Sequence, residues 1–536
     1  MPSKTETYIK DCLKKLERPG TPSLIAGFEY SSEIHSEQEA YKCLGKSVTY
    51  AEVAALSRDF AAFLLGECGL SKGDRIAIQL PNLVQYPIVA WGALRAGLVI
   101  VNTNPLYTRR ELIYQFNDSG AKALVALSDN LPLIEQVLPE TEIQSVIVTH
   151  AIDMIDPQAL PGSTLAKLNS FPDALAMGCK LELPDVEMTL DDLALLQYTG
   201  GTTGAPKGAV LSHGNLLSAV LMSPLSFGAD MTELEVGIAP MPLYHIYGFA
   251  VSLIAAYLNG SFTVLIPNPR DLDGLIEVMK QEPFTSFAGV NTLFASLLQH
   301  PEFDNIDFSH LRWTIGGGAA TVPEIAEEWK RRTGANIHEG YGLSETASVA
   351  TVNTLTSREL GTIGPPMLGS EFKVIDADGN ELPAGEEGEL LIRGPQVMQG
   401  YWQREEATAE VIDDEGWFRT GDIAIIQDNG HIRIVDRLKD MILVSGFNVY
   451  PNEIENIVYC HPDVVECAVV GVPEVKTGEA VKLFVTSNNP ELSGDELRQF
   501  CRKELAAYKV PRYVEFLDEL PKSTVGKILR RELRDH

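Results

Sequence analysis

The chain has 536 residues, and its 43 Lys and Arg residues against 73 Asp and Glu residues give a formal net charge of −30. This length indicates about three or four domains. A surface this acidic repels nucleic acid over most of its area, so no nucleic-acid partner is expected. The 45% hydrophobic and 22% charged residues are typical of globular proteins with large cores, and they exclude a disordered, collagen-like or coiled-coil chain.

Helix and strand signals alternate in the first third of the chain. Thr49 with Glu52, and Thr108 with Glu111, form capping boxes, in which each side chain bonds the backbone of the other at the start of a helix. Strands are expected at residues 76–80, 98–101 and 123–127, with helices between them. This alternation predicts an α/β fold whose largely parallel sheet is covered by helices on both faces.

The remaining chain predicts two further units. From about residue 370 the pattern changes to short strands with turn signals at residues 376–380 and 413–416, which indicates a β-rich piece packed on the α/β core. The last hundred residues predict a compact α+β unit. We therefore expect an N-terminal α/β core with two subdomains over residues 1–369, a β-rich subdomain over 370–437 and a C-terminal domain over 438–536.

Compartment signals point to the cytoplasm. The seven Cys residues are scattered without a C-x-x-C pair, so neither a disulfide framework nor a zinc site is expected, and a reducing compartment fits. The N-terminal residues lack the apolar stretch of a secretory signal. The longest uncharged run, residues 236–269, is interrupted by Pro240, Pro242 and other loop-forming residues, so it predicts a strand, a loop, a buried helix and a strand rather than a membrane span.

The most informative segment is the phosphate loop, residues 198–208, which reads YTGGTTGAPKG. A predicted strand precedes it. Its glycines let backbone N–H groups approach an anion, its threonines add donors and Lys207 adds a point charge, so the segment predicts a phosphate-binding site. It is not a Walker A motif, because Pro206 precedes Lys207 and Gly208 follows it. A flexible surface loop, the alternative, does not explain this cluster.

The segment Gly69-Leu70-Ser71-Lys72-Gly73 fits the G-x-S-x-G pattern of serine hydrolases. That motif requires a strand before the serine and a helix after it. Here the predicted order is reversed, so the segment is interpreted as a turn after a helix.

The phosphate loop and later segments together resemble the adenylate-forming superfamily of acyl-CoA synthetases, luciferases and peptide-synthetase adenylation domains. The matching segments keep the family's order over nearly the whole chain and lie at residues 198–208, 242–248, 339–346, 416–422, 436–440 and 521–527. Within the superfamily, residues 441–455 and 526–534 are most similar to bacterial long-chain fatty acid–CoA ligases.

The resemblance implies a two-step reaction that uses ATP, Mg²⁺, a long-chain fatty acid and CoA. The fatty acid carboxylate attacks the α-phosphate of ATP to give acyl-adenylate and pyrophosphate, and the CoA thiol then displaces AMP. Because the first step brings an anion against a polyanion, neutralisation of charge is its main catalytic requirement.

The resemblance also implies residue roles. The implied catalytic residues are Lys207 on the β- and γ-phosphates, Glu345 on Mg²⁺ and Lys527 between the carboxylate and the α-phosphate, with Thr199 as a second contact to the metal. Ser344 stands where the family usually has Thr and keeps the hydroxyl donor. The implied ATP- and AMP-binding residues are Thr199, Gly200, Gly201, Thr202, Thr203, Gly204, Lys207, Gly316, Gly317, Gly318, Glu339, Gly340, Tyr341, Gly342, Ser344, Asp422, Arg437 and Lys527.

The remaining implied roles concern the acid, CoA and a domain rotation. The C-terminal domain is expected to rotate between the two steps about a hinge at Lys439. The fatty acid pocket is assigned to His245, Tyr247, Val290 and Asn291. The CoA channel is assigned to Ser445 and Gly446.

Two other functions stay as alternatives. One is an acyl-AMP ligase or an adenylation enzyme for another acid or a carrier protein, although no carrier domain follows His536 in this sequence. The other is an inactive nucleotide- or lipid-binding protein, against which the intact Lys207, Glu345 and Lys527 argue. Because the fatty acid partitions into bilayers, loose peripheral membrane contact is an alternative to a purely cytoplasmic location. A homodimer is likewise an alternative to a monomer.

Overall fold

The computed structural model describes residues 23–160, 162–163, 165, 168–199, 205–228, 234–445, 447–523 and 526–534. These residues form four sheets. Sheets A and B have eight strands each, sheet C has four and sheet D has five. Sheets A and B carry the α/β part, sheet C is the β-rich piece, and sheet D belongs to the C-terminal α+β unit. The fold class predicted from the sequence is confirmed.

Sheet A is mainly parallel and its central strands are buried on both faces, as their uninterrupted apolar sequences require. Its strands lie in the spatial order Gly400–Tyr401, Lys207–Ser212, Leu193–Thr199, Val99–Asn102, Arg75–Gln79, Ala121–Leu127, Ser145–Thr149 and Leu168–Ser170. The second and third of these strands are antiparallel, and Thr199 pairs with Lys207. This pairing fixes both ends of the phosphate loop at one edge of the sheet.

Sheet B is parallel except at its two ends. Its strands lie in the spatial order Thr351–Val352, Ile337–Tyr341, Trp313–Gly316, Ser286–Gly289, Val236–Ala239, Phe262–Leu265, Glu39–Cys43 and Lys46–Thr49. Three neighbouring parallel strands end at Gly289, Gly316 and Tyr341. Ligands in open α/β sheets bind at the carboxyl ends of such strands, so this edge is the expected place for a site.

Helices begin at both predicted capping boxes and lie between the predicted strands. The capping box at Thr49 is formed, with its amide donating to Glu52 Oε2 at 2.8 Å, and Gly120 ends its helix in the left-handed conformation with φ of 63°. In the described part of the chain the α-helices are Leu24–Ile34, Tyr50–Gly66, Gln85–Arg95, Arg109–Ser119, Leu131–Val137, Phe171–Gly178, His213–Phe227, Ala256–Leu258, Leu272–Gln281, Asn291–Gln299, Pro323–Thr333, Glu405–Ala409, Pro451–Tyr459, Gly494–Cys501 and Arg530–Arg534.

The short helices add detail that the sequence pattern does not give. Gly248–Ala255 is a π-helix that continues directly into Ala256–Leu258, between the strands that end at Ala239 and begin at Phe262. The predicted order of strand, loop, helix and strand in this apolar run is thus confirmed. The described residues include 3₁₀ helices at Ser128–Asn130, Leu138–Glu140, Phe303–Asn305 and Ser344–Thr346.

Sheet C is antiparallel, with strands Glu371–Ile375, Glu387–Arg393, Phe418–Ile426 and Ile432–Arg437. Sheet D begins at Ile442 and contains Phe447–Val449, Ile442–Val444, Gly478–Ser487, Val464–Glu474 and Tyr513–Phe516. Only a short linker therefore separates the last strand of sheet C from the first strand of sheet D.

Two single predictions are also settled by the fold. Residues 69–73 form a turn between the helix Tyr50–Gly66 and the strand Arg75–Gln79, with Gly69 and Gly73 both at positive φ. This order is the reverse of a serine-hydrolase nucleophile turn. Within the residues that the structure describes, no helix has the length and apolarity needed to cross a membrane.

Candidate active site

One cleft of about 2540 Å³ collects side chains from sheets A, B and C and from the C-terminal part. It lies at the carboxyl ends of the central strands of sheet B. The residues assigned from the sequence that line it are Thr199, Lys207, His245, Tyr247, Val290, Asn291, Gly316, Gly317, Gly318, Glu339, Gly340, Tyr341, Gly342, Ser344, Glu345, Asp422, Arg437, Lys439 and Lys527. Of the other assigned residues, Gly200, Gly201, Thr202, Thr203, Gly204 and Gly446 lie outside the described residues.

Asp422, Tyr341 and Arg437 form a buried polar cluster on one wall of the cleft. Asp422 is 2% exposed, accepts a hydrogen bond from the Tyr341 hydroxyl and faces Arg437 Nε at 3.0 Å. Asp422 and Arg437 are register partners on neighbouring strands of sheet C. Burial, together with the Asp422 charge, raises the pKa of Tyr341. The cluster therefore presents a fixed carboxylate, which suits vicinal hydroxyl groups as ligands.

Two glycines that directly follow strands of sheet B are required for different structural reasons. A Cβ atom on Gly342 would lie 1.5 Å from the Ser348 carbonyl oxygen, so the close approach of the Ser348 backbone is enough to require glycine at this position. At Gly317 a Cβ atom would meet the Tyr247 ring at 3.3 Å, and the Tyr247 hydroxyl donates to the Ile315 carbonyl oxygen at 3.2 Å. The absence of a side chain at Gly317 lets the Tyr247 ring lie close to the backbone at the strand end.

Glu339 and Asn291 lie on the same wall. Desolvation in the cleft raises the pKa of Glu339 to about 8, and its Oε2 accepts the Thr321 amide at 3.3 Å. Asn291 Oδ1 accepts the Val322 amide at 3.0 Å. Asn291 thus joins two segments of the wall, a structural role that its assignment to the acid pocket does not include.

Glu345 and Lys207 meet through Tyr401, a residue that the sequence analysis did not assign. The Tyr401 hydroxyl donates to Glu345 Oε1 at 2.8 Å, and Lys207 Nζ lies 4.9 Å from the centre of the Tyr401 ring. The strand Gly400–Tyr401 pairs with Lys207–Ser212, which places Tyr401 beside the phosphate loop. Tyr401 therefore positions an acidic and a basic group at the same end of the cleft.

The backbone after Glu345 is held in unusual conformations. Ala347 and Ser348 have positive φ angles of 50° and 97°. Non-glycine residues in such conformations store strain and occur preferentially at functional sites. Ser344, at the start of the 3₁₀ helix Ser344–Thr346, lies directly before Glu345 and lines the cleft.

His245 is held as a neutral ring. Its Nδ1 accepts the Tyr247 amide at 3.2 Å, so a single ring proton has to reside on Nε2. Burial, and secondarily the Lys527 charge, lowers the pKa of His245 to about 4. A histidine with this pKa is unsuited to proton transfer near neutral pH, so His245 shapes the cleft and offers one N–H donor.

Lys527 projects into the cleft from a tight turn of the C-terminal part. The Ser523 amide donates to the Lys527 carbonyl oxygen at 2.7 Å, and the Lys527 amide donates to Ser523 Oγ at 3.1 Å. Gly526, with φ of 77°, accepts a hydrogen bond from Thr292 Oγ1 at 3.3 Å, which docks the turn on the helix Asn291–Gln299. Although the cleft leaves the Lys527 side chain open to solvent, the surrounding protein and the Arg437 charge lower the pKa of Lys527 to about 8.

Further contacts hold the C-terminal part against sheet C. Asp436, which is fully buried, accepts a hydrogen bond from the Asn452 amide at 2.7 Å and lies 3.8 Å from Arg530 Nη1. The Tyr450 hydroxyl donates to Glu387. Burial raises the pKa of Asp436 to about 6. These contacts fix the arrangement in which Lys527 reaches the cleft.

Lys439 and Ser445 occupy the linker and the first turn of sheet D. Burial, and then the Arg437 charge, lowers the pKa of Lys439 to about 8. Ser445 has φ of 52°, donates its amide to the Thr477 carbonyl oxygen at 2.8 Å and is absent from the cleft lining. The CoA-binding role of Ser445 therefore stays a prediction for another arrangement of the C-terminal part.

The donor set in the cleft fits Mg²⁺. Mg²⁺ prefers oxygen ligands and is usually held by one or two carboxylates together with substrate phosphates and water. Glu345 and the Thr199 hydroxyl supply oxygens near the phosphate loop. Among the described residues there is no group of three or more His, Cys, Asp or Glu side chains that could hold a metal by themselves, so phosphate oxygens would have to complete the coordination.

A cleft that is lined by both ends of the phosphate loop, by the buried Asp422 carboxylate and by Lys527 is typical of enzymes that bind a nucleotide. The model of the AMP-binding enzyme family matches residues 28–402, and the model of the AMP-binding enzyme C-terminal domain matches residues 453–527. This chain belongs to the AMP-binding enzyme family.

Relatives are similar over almost the whole chain. A long-chain-fatty-acid–CoA ligase of Escherichia coli O157:H7 is 46% identical, with 98% of this chain and 97% of the relative covered. The crystal structure of an anthranilate CoA ligase in complex with anthranoyl-AMP is similar with a TM-score of 0.87 and 26% identity, over 96% of both chains. That of ATP-bound MatB from Rhodopseudomonas palustris has a TM-score of 0.84 and 30% identity, over 95% of this chain and 98% of the other.

Proposed function

We propose that this protein is an ATP-dependent long-chain fatty acid–CoA ligase, which joins a fatty acid to the CoA thiol through an acyl-adenylate. The observation that carries this proposal is that Lys527, Glu345 and the Asp422–Arg437 pair line one cleft. A carboxylate and a triphosphate repel each other, so a site that joins them needs fixed positive charge where they meet. The names of the relatives that are similar over the full chain support a fatty acid as the substrate.

In the first step, a carboxylate oxygen of the fatty acid attacks the α-phosphorus of ATP. The new O–P bond replaces the bond to the bridging oxygen, and pyrophosphate leaves with that electron pair. Lys207 and the phosphate loop neutralise the β- and γ-phosphates, Asp422 accepts the ribose hydroxyls and Tyr341 stacks on the adenine. Lys527 holds the carboxylate and the α-phosphate together and stabilises the charge that builds between them.

Glu345 and the Thr199 hydroxyl would hold Mg²⁺, which would supply positive charge against the phosphate oxygens. Tyr401 serves as a positioning residue, because its hydroxyl orients the Glu345 carboxylate while its ring lies under the Lys207 ammonium group.

In the second step, the sulfur of CoA attacks the acyl carbonyl carbon, AMP leaves and the thiol proton passes to solvent. The thiol has to reach a position close to that of the Lys527 turn, so the C-terminal part rotates about Lys439. This rotation breaks the contact between Asp436 and Asn452 and the contact between Thr292 and Gly526. It brings Ser445 and Gly446 to the CoA channel.

The test combines purified protein with ATP, Mg²⁺ and CoA, and with fatty acids of graded length and aromatic acids in parallel. AMP, pyrophosphate and thioester are measured together. Release of AMP and thioester with long-chain acids is the expected result. Acyl-adenylate without thioester would instead identify an acyl-AMP ligase, turnover only with aromatic acids would change the substrate class, and no turnover would leave a binding protein.

A further inference from the structure

A channel leads from the cleft along one face of sheet B, beneath the helical segment that begins at Gly248. Gly237, Ser286 and Ala288 lie in central strands of this eight-stranded sheet, yet they are half-exposed and line the cavity. Residues in such strands are normally buried on both faces. The exposed row therefore marks an open space inside the fold rather than the outer surface.

The opposite wall of the channel is one face of the helical segment. Val251, Ala255 and Asn259 recur every four residues, are half-exposed and line the same cavity. The other face of the segment is fixed, because the ring of Tyr257 lies 5.0 Å from that of Phe28 within a buried aromatic cluster. The channel thus lies between two rigid walls.

Gly237 is the residue that leaves this channel open at depth. Its φ is not in the positive region, and a Cβ atom built on it would meet only Ser286 Oγ, at 3.3 Å. By contrast, a Cβ atom on Gly289, in the next strand, would lie 3.0 Å from the Phe294 ring, and one on Gly316, in the strand after that, would lie 2.9 Å from Ile337. Those two glycines are needed for packing, whereas neither backbone conformation nor packing requires Gly237 to be glycine.

A glycine inside a strand weakens the strand relative to alanine, and it often marks a place where a ligand approaches the backbone closely. The same face carries only small residues beside it, since Gly237 pairs in register with Ser286 and Thr263. The volume that a side chain at Gly237 would fill is therefore available to a ligand.

The strand register also shows that Gly237 lies deeper in the channel than Ala288. Ala288 pairs with Ile315, next to the strand end at Gly316 that lines the nucleotide part of the cleft. Gly237 pairs with Ser286, two residues earlier along the same strand as Ala288, which places it about 6.6 Å further from the reacting end. A chain entering from the reacting end passes Ala288 before it reaches Gly237.

We propose that Gly237 is a specificity-determining residue that admits the distal methylene groups of a long acyl chain, with Ala288 lining the same channel nearer the carboxyl group. This inference rests on the proposed function and adds the position at which chain length is selected. A side chain at either position blocks the channel at its own depth, and a single misfitting methylene changes specificity by about 10- to 200-fold.

The experiment compares Gly237→Val, Ala288→Val and wild type in pyrophosphate exchange with a series of saturated acids from hexanoate to stearate. We expect Gly237→Val to keep wild-type kcat/KM with the shorter acids and to lose at least about tenfold with the longest ones. Ala288→Val is expected to impose its cut-off at a shorter chain length. Thr263→Val, which changes no volume in the same row, is the matched control and is expected to keep the wild-type profile.

Activity with the shortest acids shows that each variant is folded, and thermal unfolding is measured alongside. A uniform loss by Gly237→Val over all lengths despite wild-type thermal stability, an unchanged profile, or the same cut-off in both variants would overturn the inference. A variant that unfolds is replaced by Gly237→Ala, for which a smaller shift in the same direction is expected and an unchanged profile counts against the inference. Wild-type protein without turnover on any fatty acid would instead refute the proposed function.

Discussion

Replacing Tyr401 with Phe tests whether Glu345 acts as a positioned carboxylate. The substitution removes the hydroxyl that donates to Glu345 Oε1 at 2.8 Å and keeps the ring that lies 4.9 Å from Lys207 Nζ. A hydrogen bond to a charged group contributes about 1.5–3 kcal/mol, and both partners here are half-exposed, so the lower end applies. Because about 1.4 kcal/mol corresponds to a factor of ten, kcat/KM for adenylation should fall about tenfold.

The assay is ATP–pyrophosphate exchange over a range of Mg²⁺ concentrations. We expect Tyr401→Phe to need more Mg²⁺ for half-maximal rate, because a carboxylate that is free to turn binds the ion less well. Tyr401→Leu removes the ring as well, and loss of an exposed cation–π contact worth about 0.5–1 kcal/mol should lower the rate roughly two- to fivefold further.

Tyr114→Phe is the matched control for this prediction. The Tyr114 hydroxyl donates to the Pro206 carbonyl oxygen at 2.7 Å, so its removal disturbs the phosphate loop without touching Glu345. Its Mg²⁺ dependence should remain that of the wild type. If Tyr401→Phe also kept the wild-type Mg²⁺ dependence, the assignment of Glu345 as a metal ligand oriented by Tyr401 would be refuted.

Three further substitutions, at Gly526, Lys527 and Asp436, probe the docking of the C-terminal part and the charge that it brings to the cleft. Gly526→Ala puts a Cβ atom 2.8 Å from Thr292 Oγ1, on a backbone whose φ is 77°. This variant should therefore slow adenylation several-fold and leave thioester formation from supplied acyl-AMP unchanged. Equal slowing of both steps would count against the docking of this turn on Thr292. Because the pKa of Lys527 is lowered to about 8, its ammonium form predominates below that pH, and kcat/KM for adenylation should fall by about tenfold per pH unit above it. Lys527→Arg should remove this decline, and its persistence would assign the titration to another group. Asp436→Asn weakens the acceptor of the Asn452 amide, so adenylation should fall while thioester formation from acyl-AMP is kept or rises, and a loss confined to thioester formation would contradict the assignment.

The sequence predicts local features well because they depend on neighbouring residues. The helix after Thr49 begins at the capping box, and Gly120 ends its helix, since both signals act within a single turn. The strand before the phosphate loop was likewise predicted and is present as Leu193–Thr199, whereas its antiparallel pairing with Lys207–Ser212 was not predicted. The π-helix at Gly248–Ala255 was not predicted, because its apolar composition is equally suited to an α-helix.

Contacts between distant segments could not be predicted from the sequence. Tyr401 meets Glu345 and Lys207 only because a two-residue strand pairs with the end of the phosphate loop, and no spacing rule connects these positions. The Ser348 carbonyl oxygen leaves no room for a side chain at Gly342, and this contact is likewise visible only in three dimensions. The domain bounds, the CoA contacts, peripheral membrane contact and a homodimer stay predictions.

The most direct measurement is the separate assay of the two half-reactions in Lys527→Ala. The variant is given ATP and fatty acid in one assay, with pyrophosphate followed, and synthetic acyl-AMP with CoA in the other, with thioester followed. If the Lys527 ammonium group joins the two anions, adenylation is lost while thioester formation stays close to the wild-type rate. Equal loss of both half-reactions, or adenylation that survives, would contradict the account.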